Sequence, residues 1–283
     1  MILDLLHHIV RRRYRSLGFR SMFLDWSGGR IHYVFRDQPA ARGSFVLVHG
    51  LGTSSSSWSK AMSLIGTSHR IVAPDLPGFG FSTIDDPQRI CTLRDYVDAL
   101  TNLIDTIPVG PIVLLGHSLG GWVSARYASI HPERIRHLML VDTAGVYYRG
   151  VEGLQEMFTV NSVGDARRLL NKMWYRYPWY FKPFTSSVFR ELQRRKTNDL
   201  VASIEPGDLL VEEFEQLKMP VTIIWGKEDG VISNESVNVL RRLIPNSKAY
   251  FIDRCGHVPQ LERPDEFARL VNRVLERESR EVD

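Results

Sequence analysis

The stretch Pro111-Ile112-Val113-Leu114-Leu115-Gly116-His117-Ser118-Leu119-Gly120-Gly121-Trp122 limits the possible folds more than any other part of the chain. The run from Ile112 is short, apolar and partly β-branched, and it ends at a glycine, which is the pattern of a buried strand. Trp122 to Ile130 reads as a helix. Only a very sharp turn fits between the two. Ser118 at its apex is expected in strained backbone, exposed at the C-terminal edge of a sheet. Larger residues than Gly116 and Gly120 would collide across so tight a bend. A G-x-S-x-G pattern between strand and helix is the pattern of a nucleophile elbow.

The rest of the chain repeats the strand-then-helix rhythm. Strands are expected at Arg20–Trp26, Arg30–Arg36, Ser44–Val48, Arg70–Ala73, Leu138–Val141, Val221–Trp225 and Ala249–Ile252. Helices are expected at Trp58–Leu64, Leu93–Ile107 and Pro264–Glu278, the last with proline in its first turn. Ser27-Gly28-Gly29 has hairpin chemistry. The serines of Gly52-Thr53-Ser54-Ser55-Ser56-Ser57-Trp58 are candidates to line a pocket, and the turn-rich loop Asp75–Ser82 is expected near the site. Alternating strands and helices imply an α/β chain with a mostly parallel sheet covered on both faces. A length of 283 residues suits one large domain with an insertion.

Residues 143–206 break the rhythm. They contain no convincing strand and are dense in aromatics, among them Tyr147, Tyr148, Phe158, Trp174, Tyr177, Trp179, Tyr180, Phe181 and Phe184. We read them as a helical cap over the C-terminal edge of the sheet, inserted into a core formed by 19–142 and 207–283. The aromatics either face the pocket or form the cap's own core.

The candidate chemistry follows from what a serine needs. Its hydroxyl is almost un-ionised at neutral pH, so it becomes a nucleophile only beside a base. Histidine has a suitable pKa and needs an acceptor that fixes its tautomer. Ser118, Asp229 and His257 each follow a predicted strand, in the order that accompanies this kind of elbow. Asp142 and Glu228 are rivals for the acid. The ring of His117 should point away from the apex. An oxyanion needs aimed N–H donors. Leu119, directly after the serine, and Leu51, in the loop after Val48, are the candidates. His49, Gly50, Trp174 and Val231 are candidates for substrate contact.

The motifs His49-Gly50, Asp75-Leu76-Pro77-Gly78-Phe79-Gly80, Gly116-His117-Ser118-Leu119-Gly120-Gly121, Gly226-Lys227-Glu228-Asp229 and Gly256-His257 together resemble the α/β-hydrolase superfamily. The resemblance covers about Arg20 to Glu278. It implies the α/β-hydrolase fold, with an eight-stranded, mostly parallel sheet, helices on both faces and a cap after the sixth strand. Within the superfamily the chain is most similar to serine esterases and lipases acting on short to medium acyl or monoacylglycerol-like esters. It is similar also to carbon–carbon bond hydrolases of aromatic degradation. Asp229 is followed by Gly230-Val231-Ile232-Ser233, where many members of the superfamily place a proline.

Three functions stand at this point. The first is ester hydrolysis through an acyl-enzyme on Ser118. The second is cleavage of a carbon–carbon bond in a vinylogous diketo acid, whose carboxylate would need an arginine such as Arg126, Arg176 or Arg194. The third is ligand binding with little turnover. None calls for a metal or an organic cofactor. A net charge of +4, with no clustered nucleic-acid motif, gives no reason to expect a nucleic-acid partner. Two cysteines, Cys91 and Cys255, make no disulfide framework and fit a reducing, cytoplasmic compartment. Residues 1–18 form a basic amphipathic segment, too short in its apolar part to span a bilayer. For residues 1–15 one reading is contact with an anionic lipid surface or cover for the active site, and the other, which better suits so short a helix, is docking on the chain's own domain or a mobile arm. The sequence carries no signal for an oligomeric state.

Overall fold

The computed structural model describes residues 10, 12–38, 41, 43–66, 69–107, 110–148, 153–194 and 197–280. Its centre is one mixed sheet. The strands are β1 (Arg20–Trp26), β2 (Gly29–Arg36), β3 (Ser44–Val48), β4 (Arg70–Pro74), β5 (Thr83–Ile84), β6 (Ile112–His117), β7 (Ile135–Val141), β8 (Val221–Gly226) and β9 (Lys248–Ile252). Eight of them run in the order β1-β2-β4-β3-β6-β7-β8-β9. From β4 to β9 every pairing is parallel, and β1 and β2 add an antiparallel edge. The two-residue β5 pairs with β2 off this path, giving nine strands where eight are expected.

The central strands are apolar on both sides, as strands covered by two layers must be. Successive residues alternate between the layers. Val46, Val48 and Leu114 join the core under the helices Leu93–Thr106, Leu119–Ile130 and Glu235–Leu243. Phe45, Leu47, Val113 and Leu115 join the opposite core with Trp58, Met62, Phe267 and Val271, beneath the helix Pro264–Arg280. A one-residue slip in β3 would exchange the two sets.

Between β7 and β8 the described residues contain helices and no strand. Counted along the eight-strand path, this segment follows the sixth strand. It has a small core of its own, made by Val160, Ala166, Leu169 and Leu192. Its buried members are aliphatic, and Phe158 and Phe189 pack against them. Of the other aromatics, Tyr148 joins the main core, while Trp174, Tyr177 and Phe181 lie ring against ring.

Residues 1–9 and 11 of the N-terminal segment lie outside the described residues. The end of that segment docks on the domain: the Tyr14 ring is buried beside Phe19, and its hydroxyl donates to the Ser55 carbonyl. Among the described residues no helix is long and apolar enough to cross a membrane. Cys91 and Cys255 are both buried free thiols.

Candidate active site

Three strand ends bring the site together. β6 ends at His117 and the next helix starts at Leu119, so Ser118 alone makes the turn. Its φ is +52°, a left-handed conformation that a side chain other than glycine's strains. The bend requires its glycines: a Cβ on Gly116 would lie 2.2 Å from the Gly120 carbonyl oxygen, and one on Gly120 would lie 2.3 Å from that of Val48. The helix starts three residues earlier than its pattern suggests. Leu119-Gly120-Gly121 is already helical, held there by close packing on β3 despite the poor helix propensity of glycine.

Ser118 Oγ lies 3.0 Å from His257 Nε2, and His257 Nδ1 lies 2.8 Å from Asp229 Oδ2. The serine hydroxyl can therefore donate to the imidazole, whose other nitrogen donates to the carboxylate. The second Asp229 oxygen accepts the N–H groups of Val231 at 2.7 Å and Ile232 at 3.1 Å. The carboxylate is thus fixed at both ends. Such a line of groups can take a proton from the serine as it attacks and return it to a leaving group.

The two rival acids are turned to other tasks. Glu228 accepts the N–H of Cys255 at 2.9 Å. Asp142 is wholly buried at the end of β7 with φ +41°, and its Oδ1 accepts the N–H of Gly226 at 2.8 Å. Burial, and then the neighbouring Asp229 charge, raise its pKa well above the usual carboxylate range, which favours its neutral form. His117 points away from the apex as expected. Its Nε2–H donates to the His257 carbonyl at 2.6 Å, and burial, with the nearby His257, lowers its pKa to about 3.

Leu51 and Leu119 line one cavity together with Ser118. Leu119 is the first helical residue, where the N–H has no intrahelical acceptor. The cavity measures about 290 Å³. Apart from Ser118, its walls are almost entirely apolar. Trp122 and Ile232 come from the core, and Tyr147, Leu154, Phe158 and Leu200 from the helical segment. Glu205 is the one charged residue among its described walls.

None of the four residues expected to contact substrate is among the residues that line this cavity. His49 is fully buried, donating through Nδ1 to the Gly50 carbonyl and accepting the Leu76 N–H at Nε2, so it braces two loops. Gly50 lies against the elbow itself, where a Cβ would come within 3.1 Å of Ser118 Cβ. Trp174 packs on Tyr177 and Phe181. Val231 is buried and holds Asp229, while its neighbour Ile232 reaches the cavity. Nor do the serines line it: Ser54 caps a short 3-10 turn through Ser56, and the Ser55 N–H binds Asp75. The true wall residues are ordinary aliphatic and aromatic side chains, which no local sequence pattern marks.

A strap from the helical segment crosses two of the loops that carry the site. The Lys172 carbonyl accepts the Gly230 N–H at 3.2 Å, and the Met173 carbonyl accepts the His257 N–H at 2.7 Å. Glu262 closes the strap, its carboxylate accepting from the backbone N–H groups of Tyr175, Arg176 and Gly256 at 2.9–3.1 Å.

Comparison with known proteins agrees with this architecture. The chain is 29% identical over 250 residues to the 2-hydroxy-6-oxo-2,4-heptadienoate hydrolase of Pseudomonas putida, covering 81% of this chain and 88% of that one. It is 29% identical over 277 residues to Lipase 1 of Psychrobacter immobilis, covering 91% and 84%. Among solved structures, a membrane phospholipase A described as a bacterial virulence factor superposes with a TM-score of 0.84 at 26% identity, covering 98% of this chain and 93% of that one. The model of the alpha/beta hydrolase family matches residues 45–270. That match spans well over half of the sequence, and the chain belongs to the alpha/beta hydrolase family.

Proposed function

We propose that this hydrolase cleaves carboxylic esters of short to medium acyl chains, including monoacylglycerol-like substrates. The observation that carries this reading is the Ser118–His257–Asp229 line opening on an apolar cavity with no cation among its described walls. Ser118 attacks the ester carbonyl while His257 takes its proton. The N–H groups of Leu51 and Leu119 hold the oxyanion. His257 then protonates the departing alcohol. It next deprotonates a water molecule, which releases the acid and restores Ser118. Asp229 keeps the imidazole oriented and stabilises its cationic form. No metal or cofactor takes part.

A cavity near the small end of the usual range for ligand sites favours a modest acyl chain over a long one. Glu205 at its wall favours a neutral, hydroxyl-bearing leaving group over an anionic one. In this reading the helical segment between β7 and β8 is the lid of the acyl pocket.

The second reading, carbon–carbon bond cleavage, is favoured by the Pseudomonas putida relative. A diketo acid substrate would bring a carboxylate into the pocket, yet Arg126 pairs with Glu213, Arg194 with Glu191, and Arg176 lies over Tyr175. None of the three lines the cavity. The test is p-nitrophenyl ester hydrolysis across acyl lengths. We expect turnover of butyrate to octanoate esters, abolished in Ser118→Ala. Absence of turnover at every length, with bleaching of a yellow ring-fission product instead, would replace the first reading by the second.

A further inference from the structure

The aromatics of the helical segment do not all face inward. Trp179 is 78% exposed, Tyr180 52% and Tyr175 38%. Exposed rings of this size, clustered within a few residues, are uncommon on a surface that meets only water. They stand at the outer end of a continuous row: Trp179 to Tyr180 at 6.0 Å between ring centroids, Tyr180 to Phe181 at 5.2 Å and Phe181 to Trp174 at 6.2 Å. Its inner end, Trp174, follows directly on the strap that holds His257. The row is therefore anchored on the domain and presents its tip outward.

The stretch itself carries charge of one sign, with Glu262 bound to its start through the Tyr175 and Arg176 amides. From Trp174 to Arg190 there are three cations, Arg176, Lys182 and Arg190, and no aspartate or glutamate. Arg176 and Lys182 flank the exposed rings and are themselves exposed. Tryptophan and tyrosine favour the boundary between hydrocarbon and headgroups, because each has an apolar body and a polar tip. Lysine and arginine beside them are attracted by anionic headgroups. A protein partner would need a complementary groove, whereas a short convex tip with a cationic collar needs only a soft anionic surface.

We propose that Trp179 and Tyr180, with Arg176 and Lys182, form a docking surface for an anionic lipid bilayer. The surface is separate from the N-terminal segment and from the cavity. Docking there places lipid contact at the far end of the strap that carries the hydrogen bond to His257.

The experiment is co-sedimentation of the full chain with vesicles of phosphatidylcholine alone or mixed in equal parts with phosphatidylglycerol. The Ser118→Ala background is used so that no reaction alters the vesicles, which also makes the result independent of the proposed ester chemistry. We expect binding to the mixed vesicles, weakened by added salt. The Trp179→Ser/Tyr180→Ser variant should lose about tenfold or more in vesicle affinity, since binding scales with the apolar area inserted. Arg176→Gln and Lys182→Gln should each lose about fivefold, and only on the anionic vesicles. The Trp179→Ser/Tyr180→Ser and Lys182→Gln substitutions in the active background should leave hydrolysis of a soluble short-chain ester unchanged, which controls for folding. Unchanged vesicle affinity in the double variant would overturn the proposal, because the N-terminal segment, intact in every variant, would then be the binder. Equal binding to both vesicle compositions would overturn it. So would a fall in oligomeric size, by light scattering, in the double variant, because the rings would then face a second copy of the chain.

Discussion

Asp142 and Asp229 are the same residue type at the ends of adjacent strands, and their surroundings give them different partners. Asp229 spends both oxygens on donors, one on His257 and one on two backbone N–H groups. Asp142 has one backbone donor, is fully buried and faces the Asp229 charge, all of which favours its protonated form. Asparagine keeps the shape and the acceptor of a neutral Asp142. We therefore expect Asp142→Asn to keep kcat/KM for a p-nitrophenyl ester within about threefold, whereas Asp229→Asn should lose roughly 10³–10⁴-fold through the wrong imidazole tautomer. Steady-state kinetics on the two variants decides it; a large loss in Asp142→Asn would mean that its charge is used. At this scale the sequence was informative wherever chemistry needs a rare combination. Ser118, Asp229 and His257 are marked by the glycines and strand ends beside them. The choice between two aspartates was harder, because it turns on which backbone N–H groups face each oxygen, and those belong to distant loops.

The elements that position the site differ in how they are specified. Strands β3 and β6 carry their own signal, since a run buried on both faces must be apolar throughout. Helix Glu235–Leu243 and the two-residue β5 were not read from the sequence, the first because its nine residues bury only Val237 and Leu240 as apolar positions and the second because two residues have no period. The helical segment was legible as an insertion, yet its wall residues were not, because which side of a short helix faces a cavity depends on how its neighbours pack. The strap gives this element a measurable role. Glu262 accepts three backbone N–H groups from two chain segments. Removing it in Glu262→Ala should cost about 1–3 kcal/mol of stability, less where water can substitute. It should also lower kcat/KM by about tenfold, because the histidine loop loses its tie. Glu262→Gln, which keeps one acceptor oxygen, should recover part of both. Urea denaturation and ester kinetics measure the two effects, and an intact rate in Glu262→Ala would separate the strap from catalysis.

For the whole molecule, the antiparallel edge, paired through β2 with β4, is also tied to the parallel body by a buried carboxylate. Asp75, just after β4, lies 2.8 Å from the Nδ1 of His32 on β2 and accepts the N–H groups of Ser55 and Phe81. Burial alone would raise its pKa, but the hydrogen bond and charge of His32, with further donors, outweigh burial and lower it to about 2. A carboxylate held below its unfolded value near 3.8 stabilises the fold at any pH above that value. The contribution disappears as the pH falls through about 2. It amounts to about 2 kcal/mol at neutral pH by the size of the shift. Asp75→Asn should accordingly lower unfolding free energy by about that much at pH 7, and the gap to the parent chain should close between pH 4 and 2. Denaturation curves across that range test it, and a gap that does not depend on pH would assign the loss to shape instead of charge.

The strap's hydrogen bonds to the domain engage only its main chain, two carbonyls facing the Gly230 and His257 amides and two amides facing Glu262, while the Met173 side chain packs on the core. Those hydrogen bonds are indifferent to which side chains occupy positions 172–176 but strict about the path and length of the chain there. Side chains of the segment that lie off the core can thus be exchanged without disturbing these bonds, while a deletion within those five positions should displace the His257 loop. Chimaeras that import a foreign insertion should work when the splice points preserve this short register and Glu262, and fail when they shift it by one residue.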